Sequence, residues 1–276
     1  MFDKRYYYVI HIQYLGYRFH GWQKQPGLKT VHYMIDRTLN YIFEGKRFKT
    51  LVSGRTDAMV SANETAFELF VYHEIKDFDA FIALFNLNLP QDIRALKMKE
   101  VNAEFNIIQH SKIKEYVYLF AHGQKCHPFC ASIMTTFLEP LNIDIMKTGA
   151  KLFEGQHNFK SYCFRATEKG LYDREILHCE ISENTIYTAN FFPKQSYVLT
   201  VRGKGFGRNQ IRLMMGALVN LGRGEVDLAY IKQSLTSESK EAIQFVAPAS
   251  GLILNKVAFE PNGSSDILPS GSKSSE

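Results

Sequence analysis

Cysteine is scarce. The 276 residues hold four, Cys126, Cys130, Cys163 and Cys179, too few to staple a chain of this size into a disulfide framework. Cys126 and Cys130 stand near His122 and His127. Their order, His-x3-Cys-His-x2-Cys, is not a standard finger spacing, and a structural zinc site needs a closed set of four ligands. Reduced thiols in a loop, and no metal, are the expectation. Long apolar runs are also missing, since no stretch approaches the roughly 18–20 residues that span a bilayer. Residues 1–5 lead straight into strand-like sequence without a signal-peptide pattern, so a cytoplasmic protein with no membrane association is expected. Neither a P-loop nor a dinucleotide fingerprint occurs, and no cofactor is expected.

What remains is ordinary for a soluble globular chain, at 45% hydrophobic and 22% charged. The length suffices for one large or two ordinary domains with developed cores. The net charge of +5 says little, but its distribution says more. No acidic residue occurs between Glu183 and Glu225, whereas Lys194, Arg202, Lys204, Arg208, Arg212 and Arg223 all fall there. Such a one-sign interval is the footprint expected of a polyanion site.

Period and punctuation divide the chain into elements. Residues 6–14 are β-branched and aromatic and read as a strand. A loop follows, carrying the only tryptophan, Trp22, among amide and basic side chains. Thr30 can cap a helix over 31–43, with Val31, Ile35, Leu39 and Ile42 on one stripe. Strands at about 48–53 and 66–73, a helix at 77–87 and a strand at 93–98 complete a βαββαβ order. That order points to an α+β fold with helices on one face of an antiparallel sheet. The pattern then restarts. Residues 114–120 form a strand with Tyr116 and Tyr118 opposite Val117 and Leu119. A helix at 143–153, strands near 174–182, 185–191 and 196–203, a helix at 207–221, a short helix near 227–235 and a strand at 252–259 follow. Gly222 and Gly224 would stop the long helix. The second half repeats the alternation of the first. We expect two related α/β-sandwich halves of ferredoxin/RRM-like type, residues 1–105 and 106–261, whose antiparallel sheets join around a central basic cleft. The Ser/Gly-rich tail, 262–276, is expected to be disordered.

Gly54-Arg55-Thr56-Asp57-Ala58 lies between two apolar, β-rich runs. A carboxylate fixed between strands is placed to act on something in a cleft, although Gly, Thr and Asp are also what turns are made of. On the helix at 207–221, Arg208 and Arg212 are four residues apart and would share a face. Arg212 sits among apolar residues, where an unpaired guanidinium is costly, and Asp57 is the candidate partner from the other half. Tyr116 offers an aromatic face to a planar ligand in the same cleft.

These motifs in this order resemble the TruA family of tRNA pseudouridine synthases over about residues 6–260. The resemblance is carried by Tyr14 with Phe19-x-Gly21-Trp22-Gln23, then Gly54-Arg55-Thr56-Asp57-Ala58 and Asn88-Leu89-Pro90. It continues through Tyr116-x-Tyr118, Gly155-x-His157-x-Phe159, Phe206-x-x-x-Gln210-Ile211-Arg212-x-Met214-x-Gly216 and Pro248-Ala249-x-Gly251-Leu252-x-Leu254. The resemblance implies that Asp57 is the catalytic aspartate, Arg212 its ion-pair partner and Tyr116 the residue stacked on the target base. It implies that Leu252 packs beneath that base, and that Arg55 holds the flipped nucleotide and fills its vacated place. Arg208, Trp22 and Lys204 are expected to add substrate contacts. The implied reaction breaks the C1′–N1 bond of a uridine, turns the uracil and joins C5 to C1′, most often in the anticodon stem-loop of tRNA. Relatives of the bacterial type are homodimers. Other readings are a non-catalytic RNA-binding protein on the same scaffold, a synthase with a shifted RNA target, and a glycoside hydrolase. The last needs two carboxylates about 5–9.5 Å apart, and no second acid accompanies Asp57 in the motifs.

The chain departs from that pattern after the aspartate. The family continues Ala-Gly-Val-His-Ala and then Gly-Gln, whereas this chain reads Ala58-Met59-Val60-Ser61-Ala62-Asn63-Glu64. A left-handed backbone at Met59 would cost about 1–2 kcal/mol or force another loop path. Glu64 would add negative charge near an RNA-binding loop, and Glu115 stands where a basic residue is common.

Overall fold

Residues 4–52, 54–239 and 243–259 are described by a computed structural model. Ser53, which directly precedes the aspartate motif, and the tail expected to be disordered lie outside the described residues.

Ten strands and five α-helices are described. In chain order they are β1 (Tyr6–Tyr14), α1 (Val31–Ile42), β2 (Phe48–Val52), β3 (Ser61–Val71), α2 (Phe78–Asn88), β4 (Ile93–Val101) and β5 (Ser111–His122). Then come β6 (Thr135–Phe137), α3 (Ile143–Lys151), β7 (Gly155–Asn158), β8 (Asp173–Glu183), β9 (Tyr197–Gly203), α4 (Gln210–Gly222), α5 (Leu228–Ser234) and β10 (Leu252–Phe259). The fold is α+β. Its strands form one mostly antiparallel sheet in the order β4-β1-β3-β10-β5-β9-β8-β7, with β2 paired to β3 and β6 to β5.

The strand that makes two sheets into one is the last. β10 pairs with β5 along most of its length, antiparallel, from Leu252↔Tyr118 to Phe259↔Ser111. Its other edge meets β3 in a short parallel ladder, Ile253↔Ser61 and Leu254↔Ala62. Leu252 and Leu254, two apart, share the helix-covered face of β10, and because β10 lies between β3 and β5 it serves both halves. Leu252 belongs to the core under α3 and α4, with Tyr118, Phe120, Met214 and Leu218. Leu254 belongs to the core under α1 and α2, with Tyr8, Ile10, Phe67 and Phe85. Tyr116 packs against both cores.

Capping chemistry fixes where the helices start. Thr30 accepts from the Tyr33 amide at 3.3 Å and Asp77 from the Ala80 amide at 2.9 Å, each satisfying a donor that the first turn leaves unpaired. Asn142 and Asp227 cap α3 and α5 in the same way. At the end of α4 only Gly224 is left-handed, with φ +75°. Gly222 is still helical and buried, where a Cβ would stand 2.6 Å from the Met146 sulfur. One glycine stops the helix and the other lets α3 approach it.

The strand expected near 185–191 is absent. Asn184 closes a turn directly after β8, its side-chain oxygen accepting from the Ile186 and Tyr187 amides and its NH₂ donating to the Tyr187 carbonyl. That local pairing competes with a ladder. Tyr187, Phe191 and Phe192 pack instead on the sheet face away from the helices, with Val117, Leu119 and Cys130.

On that same far face, His11 of β1 bonds Glu64 through Nδ1 at 2.8 Å and lies edge-on to Phe259. Burial, aided by Lys97, pushes the imidazole down to about 4 against the pull of Glu64. Above pH ~6.5 His11 is neutral in folded and unfolded chains alike. Below it the unfolded chain takes up a proton that the folded chain refuses, so stability falls as pH drops toward 4. We expect His11→Gln to remove on the order of 3 kcal/mol of that loss. Urea unfolding of both proteins at pH 7 and at pH 4.5 measures it.

Candidate active site

The aspartate loop is held from below by the loop before it. The Trp22 amide donates to the Thr56 carbonyl at 3.1 Å and the Met59 amide to the Phe19 carbonyl at 3.0 Å. Tyr14 Oη and Thr56 Oγ1 are 2.8 Å apart. Gly21, at φ +84°, lies so close that a Cβ there would stand 2.6 Å from the Thr56 carbonyl oxygen. The Phe19-x-Gly21-Trp22 sequence is therefore a platform. Trp22 itself is 1% exposed, stacked on His32 and tilted against Tyr14. This corrects the expectation that Trp22 contacts substrate, because its large apolar ring is what anchors the platform in the core.

Asp57 faces a cavity of about 780 Å³. Arg55, Lys114, Tyr116, Phe206, Arg208, Gln210 and Leu252 line it with Asp57, and His20 and Gln23 close one side. Arg212 reaches Asp57 from α4, Nη1 to Oδ2 at 3.8 Å, an ion-pair contact too long for a hydrogen bond. The Arg212 side chain is 17% exposed and that of Asp57 38%. Arg212 is aimed by three contacts: Nε donates to the Ala247 carbonyl at 2.7 Å, the Ala247 amide returns a bond to the Arg212 carbonyl, and Nη1 approaches Asn209 Oδ1 at 3.5 Å. Burial disfavours its charge, while Asp57 and then Tyr118 favour it. The structure brings Asp57 and Arg212 together from opposite halves of the sheet.

Tyr116 stands edge-on to Phe206, centroids 5.3 Å apart at 88°. Its hydroxyl is pushed up by desolvation first and by the Asp57 charge second, so it is a neutral donor beside a carboxylate. Leu252 is 5% exposed and forms apolar floor. Lys114 follows from strand alternation, two residues before Tyr116 and on its face. Burial lowers its ammonium, and a Cβ on Gly54 would stand 3.0 Å from its Nζ. The sequence reading passed over Lys114, Phe206 and Gln210 as site residues, although Phe206 and Gln210 stood in the motifs. Gln210 is 1% exposed and its Oε1 accepts from the Gly207 amide at 2.7 Å.

Arg208 requires a correction. It precedes α4, which starts at Gln210 after Asn209 adopts φ +58°, so it shares no helix face with Arg212. It is exposed, lines the cavity and lies over the Phe164 ring at 5.2 Å. The basic interval is also less basic in space than in sequence. Lys204 pairs with Glu175 at 2.9 Å and lies outside the cavity lining, Arg202 pairs with Glu115, and Arg223 pairs with Glu139 and Glu225. Acids from other elements neutralise three of the cations, leaving Arg208 in the cavity lining and Arg212 against Asp57.

The departures after the aspartate have structural accounts. Glu64 points to the far face, bonded by His11 and paired with Lys97 at 3.2 Å, so its charge does not reach the cavity as expected. Glu115, on the face opposite Tyr116, is buried, pairs with Arg202 and accepts from Asn255, which in turn accepts from Asn63 at 2.8 Å. These polar groups tie β3, β10, β5 and β9 together behind the site.

Comparison with known proteins fits this geometry. Residues 150–260 match the family described as tRNA pseudouridine synthase. The chain is 30% identical over 258 residues to tRNA pseudouridine synthase A 2 of Bacillus cereus, covering 91% of this chain and 99% of that protein. It is 29% identical to tRNA pseudouridine synthase A of Syntrophomonas wolfei, covering 90% and 95%, and 29% identical to that of Dictyoglomus thermophilum, covering 91% and 98%. The chain belongs to the tRNA pseudouridine synthase A family.

Met59 adopts φ +68°, the left-handed region that β-carbons resist, and its side chain is 36% exposed. Little burial would be lost on removing it. We expect Met59→Gly to raise stability by about 0.5–1 kcal/mol, the relief of strain exceeding the added freedom of the unfolded chain. The urea midpoint measures this, with an unchanged m-value.

Proposed function

We propose that this protein is an isomerase that converts uridine to pseudouridine in tRNA, with Asp57 as the catalytic carboxylate. The single observation that carries the reading is the contact between Asp57 and Arg212 at the edge of a cavity floored by Leu252 and walled by Tyr116. The contact fixes where a carboxylate stands in the cavity wall, and a carboxylate is the group that can serve there as nucleophile or base.

The uridine must leave its stack to reach an enclosed carboxylate, at a cost of a few kcal/mol. Arg55 and Arg208, both exposed at the cavity, are placed to offset that cost through phosphate contacts. Arg55 also has the reach to occupy the space the base vacates. Tyr116 presents a ring against which the uracil can lie, and Leu252 closes the far side. Cleavage of C1′–N1 leaves a free uracil that must turn within the site before C5 joins C1′. An apolar floor and wall retain it and exclude water from the reactive sugar. Bonding at C5 finally releases the C5 hydrogen as a proton.

The finer parts of this reading are ours as well. We place the target in the anticodon stem-loop and the protein in the cytoplasm as a homodimer, as the family resemblance implies. The absence of any helix long and apolar enough to cross a membrane, among the described residues, is consistent with that placement. The two helix-covered cores support a division into halves near residues 105 and 106, with Leu254 and Val257 of β10 completing the core of the first half.

Asp57→Ala should abolish pseudouridine formation in tRNA, by at least about 10³-fold, with tRNA affinity within a few-fold of wild type. Product mapping and filter binding on one preparation read both quantities. Retained turnover would remove Asp57 from the chemistry.

A further inference from the structure

A second cavity, also about 780 Å³, lies beside the first, between residues 24–29 and helix α1. Its lining includes Arg18, Lys24, Lys29 and Arg37 and no acidic side chain. Asp92 and Asp36, which stand outside the lining, engage Arg18 and Lys24. Lys29 and Arg37 are exposed and make no ion pair among the described residues. Tyr33, 46% exposed, stands one helical turn from Arg37 and so on the same face of α1. The cavity thus offers two uncompensated cations beside an open aromatic ring.

The two cavities share a wall. Gln25 lines both, and its side-chain NH₂ donates to the carbonyl of His20, itself part of the catalytic lining, at 3.2 Å. A nucleotide drawn into the first cavity stays covalently joined to its neighbours. Its strand must therefore leave across an adjoining surface, and this one matches the chemistry of a strand: cations for phosphates, a ring face for a base.

We propose that this second cavity is a strand subsite, in which Lys29 and Arg37 hold phosphates flanking the target uridine and Tyr33 stacks one unpaired neighbouring base. The proposal rests on the reading of the substrate as RNA. It concerns binding only, and none of the three residues touches the reacting atoms.

The test measures affinity for an unmodified tRNA transcript between 50 and 200 mM salt, together with pseudouridine formation. Lys29→Ala/Arg37→Ala should lower the slope of log K against log salt by about 1.5–2, two phosphate contacts' worth. Tyr33→Ala should weaken binding about 5- to 100-fold with the slope unchanged. In both, KM should rise while turnover at saturating tRNA stays within about twofold. Lys147→Ala/Lys232→Ala, two exposed lysines on α3 and α5, controls for overall charge. An equal loss of slope in that control, or unchanged slope and affinity in the subsite variants, overturns the proposal. If the wild type binds tRNA through this cavity but forms no pseudouridine, the catalytic reading fails and the subsite stands.

Discussion

The insertion of β10 between β3 and β5 is the constraint on which the site depends. A strand with both edges paired cannot slide without breaking two ladders, and a slip of one residue would turn every side chain to the other face. The parallel ladder to β3 comprises only Ile253↔Ser61 and Leu254↔Ala62, yet it lies immediately after the aspartate loop. Through it, the loop carrying Asp57 and the helix carrying Arg212 are referenced to one piece of backbone. Leu252, at the head of β10, then stands in the cavity that the two approach. The Asn63–Asn255–Glu115–Arg202 chain reinforces the seam from behind.

Electrostatics at the site is arranged by depth. Arg212 is largely buried and oriented by backbone and Asn209, so its charge has few alternatives to Asp57. Arg55 and Arg208 are exposed and free to meet a phosphate. Lys114 lies between these extremes. The enclosed guanidinium faces one carboxylate, while under the proposed reading the outer charges and the neighbouring cationic cavity would meet a polyanion whose binding is screened by salt. This division separates chemistry from affinity and lets each be altered without the other.

Much of this was legible in the sequence because it is local. The cap residue Thr30 announced its helix, and the apolar run at 252–259 marked β10. Asp57 was readable as a candidate partner for Arg212 because a guanidinium among apolar residues needs a carboxylate, and the ordered motifs then supported that choice across so long a separation. What was not legible is set by contacts. Trp22 reads as a ligand-facing aromatic until the platform under the aspartate loop is seen. Arg208 reads as helical until Asn209 turns left-handed. The acid-free interval reads as a basic patch until Glu115, Glu175 and Glu139 arrive from other elements. The strand at 185–191 failed because one asparagine satisfies the backbone locally. Met59 alone behaved as foreseen from a departure: the chain keeps the left-handed turn and bears the strain.

The central claim is that Asp57 and Arg212 act as one unit, and a double-mutant cycle tests it most directly. Loss of label from C5-tritiated uridine in tRNA, under single turnover, reports each completed isomerisation. Asp57→Asn, Arg212→Met and the double variant would be compared with wild type. The account predicts strong non-additivity, the double variant being little slower than Asp57→Asn alone. Losses that multiply, or an Asp57→Asn protein that still releases the label at the wild-type rate, would contradict it.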